Sequence, residues 1–320
     1  INLRKNKKIN LIYMEASLQQ SLFGHYEIFD KFKNLHLIKK FPNKIILSGE
    51  KGIGKCTLAY HLINYTLSSN EDYSYDTKNY KINSENKSFK LIENKSNPNL
   101  YLIDVEEGKK NIDINQIRDL ISNLNKSSFN EDPRFVLIDN INLLNLNSIN
   151  ALLKVIEEPN DNINFILINS NKRVLPTLKS RCINFKISLS HKQTIEIANK
   201  IINQDIYEIF NEELINYYTT PGKLLKILKV SEEFEIDVKN LSLKNFLSLI
   251  IKNKLYKKDK ILIELTYSFI ENYFRSKVNI NNVEILNFYN LFLKKIINTK
   301  IYNLDEEILF MEFEDRILNG

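Results

Sequence analysis

At 320 residues the chain is longer than one hydrophobic core comfortably grows, so two or three domains are expected. Apolar residues at 43% and charged residues at 26% are ordinary for a globular protein, and a formal net charge of +6 admits a nucleic-acid or acidic partner without requiring one. Two distant cysteines exclude a disulfide framework and a zinc site, and no apolar run reaches the ~18–20 residues of a membrane span, so a reduced, cytoplasmic protein with no membrane partner is expected.

Residues 1–20 read as an N-terminal tail. Arg4, Lys5, Lys7 and Lys8 precede only a brief apolar patch, which is not a signal peptide, and Met14 is a candidate start that would leave residues 1–13 untranslated. From Lys44 to Phe185 short apolar runs alternate with helical periodicity. Strands are expected at Lys44–Leu47, Leu100–Ile103, Arg134–Ile138, Asn164–Ile168 and Ile183–Phe185. Ile117, Leu120, Ile121 and Leu124 mark one helix, opened by an Asp113/Gln116 capping box; Ile149, Leu152, Leu153 and Ile156 mark another, ended by Pro159. Strands alternating with helices imply an α/β domain with a mostly parallel sheet covered on both faces. Residues 68–99 break the rhythm and read as a surface insertion, with a hairpin around Tyr80–Ile82 and Phe89–Ile92. After Ser188 the chain becomes helical. His191–Asn203, Asp205–Tyr217 and Gly222–Lys229 suggest a three-helix unit. Three further helix faces follow: Leu262, Leu265, Phe269 and Tyr273; Leu286, Tyr289 and Leu293; then Leu304, Ile308, Met311 and Leu318. These stripes suit helix packing and leave room for a subunit interface.

Three of seven glycines, Gly49, Gly52 and Gly54, fall between the first strand and a helical pattern with Leu58, Ala59, Leu62 and Ile63 on one face. Strand, glycine loop, Lys55 and helix form the setting of a P-loop, in which backbone N–H groups and the lysine cradle phosphates. The pattern GxxxxGK[ST] ends here in Cys56, where a hydroxyl should ligate Mg²⁺, and Thr57 comes one residue late. Arg134–Ile138 leads to Asp139, suited to a Walker B carboxylate. The next position, where a general base is expected, is Asn140, and losing such a base typically costs ~10²–10⁴ in rate.

The run Asn150-Ala151-Leu152-Leu153-Lys154-Val155-Ile156-Glu157-Glu158-Pro159, followed by Phe165–Ile168 and Ser180-Arg181-Cys182, resembles the clamp-loader branch of the AAA+ ATPases. The resemblance covers Leu22 to Lys229 well and the last third in layout only. It implies an AAA+ nucleotide-binding-like domain over 21–188, a helical lid over 189–235 and a helical collar over 236–320. It gives Asn171 the sensor-1 role and Arg181 that of an arginine finger acting in trans on a neighbour's nucleotide. Gly222, beside Lys223 in Thr219-Thr220-Pro221-Gly222-Lys223, takes the place of the lid's sensor-2 arginine, and the family's zinc cysteines are missing from the insertion.

The implied role is a subunit that closes the loader ring while its own ATPase is absent or weak, an accessory to a replicative DNA polymerase holoenzyme. Its implied partners are the other loader subunits (gamma/tau and delta) in a hetero-oligomeric ring, the sliding clamp and, through the assembly, primer–template DNA. No cofactor is certain, and ATP with Mg²⁺ is expected to be held weakly at most. The alternative is an ATP-hydrolysing motor subunit of the same loader. The lysine-rich stretches 252–260 and 294–300 are read as solvated helix faces rather than DNA contacts.

Overall fold

The computed structural model describes residues 15–106, 109, 111–126, 131–157, 162–170, 174–215, 219–258, 260–277, 283–302 and 304–319. The first fourteen residues of the expected tail therefore lie outside the described residues, as do Pro159 and Asn171. The chain divides into two compact units, Ile1–Ile201 with Thr220–Gly222, and Ile202–Thr219 with Lys223–Gly320.

The first unit is built on strands β1 (Lys44–Ser48), β2 (Leu100–Ile103), β3 (Arg134–Ile138), β4 (Ile163–Asn169) and β5 (Ile183–Lys186). They form one sheet in the order β2-β3-β4-β1-β5, every pair parallel. Side chains alternate across it, as the strand repeat requires. Ile45, Leu47, Phe135, Leu137, Ile166 and Ile168 enter one core with helices α1 (Tyr26–Leu37) and α2 (Lys55–Leu67). Ile46, Val136, Ile138, Phe165 and Leu167 enter another with α4 (Ile114–Leu124) and α5 (Leu146–Glu157). The expected doubly covered parallel sheet is present. The Asp113/Gln116 capping box is formed at the start of α4.

Residues 68–99 lie largely at the surface, as expected, but are anchored to the first core and contain a helix where a hairpin was expected. Phe89–Ile92 lie in a short helix, α3 (Lys87–Glu93), whose Asn86 cap accepts the Phe89 N–H at 2.8 Å. Around Tyr80–Ile82 there are only isolated bridges, from Lys81 to Asp76 and to Ser21. Tyr75, Ile82, Phe89 and Ile92 are buried in the first core, where Tyr75 stacks on Phe29 with ring centroids 5.1 Å apart. This covering explains why α2 is buried on nearly all sides, including His61, Asn64 and Thr66, rather than on one apolar face. The buried polar groups pair with the segment that covers them: Asn64 Nδ2 donates to Asn86 Oδ1 (3.1 Å), and His61 Nδ1 meets the Tyr75 hydroxyl (2.8 Å). Its footing is thus aromatic packing and side-chain hydrogen bonds within the chain.

After α6 (Pro176–Lys179) and α7 (His191–Ile202), the second unit departs from expectation at 205–215, where a four-residue helix α8 (Ile206–Ile209) and a 3₁₀ turn at Glu212–Leu214 stand instead of one continuous helix; residues 216 and 217 of the expected helix lie outside the described residues. Helices α9 (Pro221–Glu233), α10 (Leu243–Lys252), α11 (Lys260–Lys277), α12 (Val283–Tyr302) and α13 (Glu306–Phe313) follow. Leu262, Leu265, Phe269 and Tyr273 are buried along α11 as expected. On α12 the buried residues among the described side chains are Phe292, Ile296 and Thr299, while Tyr289 and Leu293 are half-buried; the side chain of Leu286 lies outside the described residues. The last stripe is inverted. Leu304, Ile308 and Met311 are 52%, 72% and 50% exposed, and Leu309, Phe310 and Phe313 are buried instead; of the predicted set only Leu318 is inside. The segment is apolar on both sides, so periodicity could not select a face. The lysine-rich stretches are paired inside this unit: Lys254 and Lys257 with Glu307, Lys252 with Glu314, and Lys295 with Glu312.

Candidate functional site

The glycine loop leaves the C-terminal end of β1 and enters α2, as a phosphate cradle requires. Gly52 (φ +86°) and Gly54 (φ +91°) take left-handed backbone conformations, which a Cβ would strain. Gly54 caps α2 without a side-chain hydrogen bond, so no cap side chain competes for the first-turn N–H groups. Lys55 is buried, its Nζ donating to Gly49 O (2.9 Å) and Glu50 O (2.6 Å). Burial lowers its pKa to about 8, against the opposing pull of Asp139. It therefore stays mainly protonated at neutral pH. Thr57 sits half-buried in the first turn of α2, one position beyond the hydroxyl's place.

Where magnesium would be held, the chemistry differs. Cys56 lies beside Asp139, and burial together with the charges of Asp139 and Asp104 raises its pKa well above the usual thiol value. It remains a neutral S–H donor. Asp139 is itself raised, first by burial and then by Asp104, although it accepts the Asn140 N–H at 2.8 Å. A protonated thiol is a poor ligand for a hard cation. The phosphate half of an ATP–Mg²⁺ site fits these residues, and the magnesium half does not. Asn140 occupies the left-handed region (φ 56°), which asparagine tolerates, and its Nδ2 donates to Asp104 Oδ1 at 3.2 Å. A glutamate installed there would meet backbone strain of about 1 kcal/mol before doing any chemistry.

Every carbonyl of the loop from Gly49 to Gly54 has a donor inside the first unit. Beyond the two that Lys55 binds, the Thr220 hydroxyl donates to Lys51 O (3.0 Å), Gly222 N–H to Gly52 O (2.9 Å), His25 Nε2–H to Ile53 O (2.6 Å), and Leu58 N–H to Gly54 O (2.9 Å). His25 is held neutral by burial first and by the Lys55 charge as well. Gly222 is closely packed: a Cβ there would lie 2.7 Å from Gly52 Cα and 3.0 Å from Gly52 O. Both are backbone atoms, so the clash cannot be relieved by a side-chain swing. Gly222→Arg is expected to destabilise the chain by about 1–3 kcal/mol in a urea titration and to confer no ATP turnover. An unchanged midpoint would show that the contact is not tight.

Arg181 follows α6, on the rim of the unit. Its Nε and Nη2 both donate to Glu157 Oε1, at 2.7 and 2.5 Å, and its Nη1 donates to Thr177 O and Ser180 Oγ, each at 3.1 Å. Cys182, next in the triplet, is buried in the second core. The structure therefore brings Gly49, Gly52, Gly54, Lys55, Cys56 and Asp139 together and sets Arg181 apart from them, paired with Glu157.

The sequence pattern described as DNA polymerase III, delta subunit, matches residues 24–191, which include the glycine loop, Asp139 and Arg181. The chain belongs to the DNA polymerase III delta-subunit family. Among curated members of such complexes, it is 31% identical over 139 residues to the DNA polymerase III subunit delta' of Pseudomonas aeruginosa, covering 43% of this chain and 40% of that one. It is 30% identical over 178 residues to the delta' subunit of Buchnera aphidicola subsp. Baizongia pistaciae (53% and 48% covered). It is also 28% identical over 242 residues to the subunit gamma of Buchnera aphidicola subsp. Schizaphis graminum (73% and 64%). The chain spans less than two thirds of the length of each of these relatives.

Within this delta-family chain, sequence reasoning missed His25, Thr220 and Glu157 as parts of the site. Glu157 stood in a quoted run, yet nothing in its spacing pointed at Arg181. His25 and Thr220 lie 28 and 169 residues from the carbonyls they brace, and a single sequence carries no trace of such contacts. No described helix is long and apolar enough to cross a membrane.

Proposed function

We propose that this chain is a delta-prime-like clamp-loader subunit of a DNA polymerase III holoenzyme. It supports ATP-driven loading of the sliding clamp on primed DNA and donates Arg181 to the nucleotide of a neighbouring subunit. One observation carries the reading: an exposed arginine held by Glu157 belongs to a chain in which a buried neutral thiol stands beside Asp139, at the place where a hydroxyl would be expected to ligate Mg²⁺. The partners on this reading are gamma/tau and delta subunits, the clamp, and primer–template DNA through the assembly. The lid covers 189–235 and the collar 236–320. The exposed apolar stripe of Ile301, Tyr302, Leu304, Ile308 and Met311 supports burial of the collar against other subunits.

The purified chain is expected to turn over ATP no faster than background, and Lys55→Ala is expected to change nothing. Mixed with gamma- and delta-type subunits, it is expected to co-elute with them in size-exclusion chromatography. Brisk magnesium-dependent turnover abolished by Lys55→Ala would establish the motor reading instead, which the formed cradle and the gamma similarity favour. Failure to co-elute with either kind of subunit would overturn both readings.

A further inference from the structure

Arg181 and Glu157 form more than an incidental surface pair. One carboxylate oxygen takes both donors on the side-on edge of the guanidinium, while Nη1 is shared between Thr177 O and the Ser180 hydroxyl. Ser180 is itself held, its Oγ donating to Thr177 O at 3.0 Å. Four of the five N–H donors of a guanidinium are thereby engaged within the chain, which fixes the plane of the group. The remaining N–H is on Nη2. An arginine on a flexible stem loses rotamer freedom whenever it is immobilised, and a partner that immobilises it beforehand removes that cost from the step in which it acts.

We propose that Glu157 is the positioning residue of the Arg181 finger, holding the guanidinium in a set plane at the rim so that it meets the neighbour's phosphate already oriented. Ser180 shares this duty from the opposite side. The inference rests on the trans-acting reading of Arg181 given above. Glu157 does not touch the nucleotide; it acts through the arginine. Both side chains are partly exposed, at 35% and 48%, so the pair adds little to folding, and removing it leaves the fold intact.

The test uses the full chain in a ring reconstituted with gamma- and delta-type subunits, with ATP turnover read as kcat and KM. Glu157→Ala is expected to lower kcat about 3–10-fold with KM unchanged, and Glu157→Gln, which keeps an acceptor oxygen, to recover most of it. The double variant Glu157→Ala/Arg181→Ala is expected to be no slower than Arg181→Ala alone. A kcat that stays level or rises in Glu157→Ala would overturn the proposal, as would additive losses in the double variant. A second readout needs no ring: in NMR spectra of the isolated chain, the Arg181 Nε–H resonance is expected to be sharp and to broaden in Glu157→Ala. Full turnover with Arg181→Ala would sink the finger reading and the proposal with it. A collapse of turnover with Arg181→Ala, joined to an unaffected Glu157→Ala, would sink the proposal alone.

Discussion

Replacing Arg181 with alanine is expected to cut ATP turnover by the adjacent motor subunit about 10³–10⁵-fold in the reconstituted ring, with the ring still forming. The size follows from what the held guanidinium supplies: a fixed positive charge and the remaining Nη2 N–H at the point where negative charge spreads over the transferred phosphoryl group. Assembly should survive because Arg181 makes its contacts with Glu157, Thr177 and Ser180 at the rim and lies outside both hydrophobic cores. Arg181→Lys is expected to rescue little, since a lysine keeps the charge but not the planar fork. The measurement is steady-state hydrolysis with the variant chain as the only altered component. Undiminished partner turnover would remove Arg181 from catalysis.

Acidification from pH 6.5 to pH 4 is expected to remove about 3 kcal/mol of folding stability through His61 alone. The ring is buried on α2, with Nε2–H donating to Gln19 O (2.9 Å) and Nδ1 accepting from the Tyr75 hydroxyl (2.8 Å). Burial lowers its pKa to about 4 from the ordinary 6.5. The folded chain therefore refuses a proton that the unfolded chain takes up. Stability from this source is fully present above pH 6.5, declines as pH falls, and is gone below about pH 4. His25 and His36 are shifted in the same direction, each chiefly by burial, and add to the slope. The check is a set of urea titrations between pH 7 and 4.5 on wild type and His61→Phe. The variant is expected to start less stable, because the Tyr75 hydroxyl loses its partner, and to show a shallower pH slope. Parallel slopes would place the proton uptake elsewhere.

The five strands were legible to within a residue or two at each end: β1, β3 and β4, buried on both faces, read as apolar runs, while the edge strands β2 and β5 are more exposed and shorter. The insertion was not legible. Its order comes from His61 meeting Tyr75 and Asn64 meeting Asn86, contacts of polar side chains that leave no periodic mark. The last helix defeated the reading for the opposite cause, since residues apolar on every side offer no contrast between inside and outside. At the site, Lys55, Cys56 and Asp139 were legible through motif spacing. The departure at Cys56 was legible too, but its burial beside Asp139 was not. Gly222 could be recognised as a missing arginine. That the glycine is itself required by the nearness of Gly52 emerged only in three dimensions.

The bracing of residues 49–54 bears on timing. In a motor, binding and losing a triphosphate can order and release the loop that holds it, so readiness follows the fuel. Here peptide groups and side chains already hold that loop upright. A loop held in this way needs no bound triphosphate to keep its carbonyls paired. On the proposed reading, the timing of hydrolysis would then be set by the neighbouring subunits.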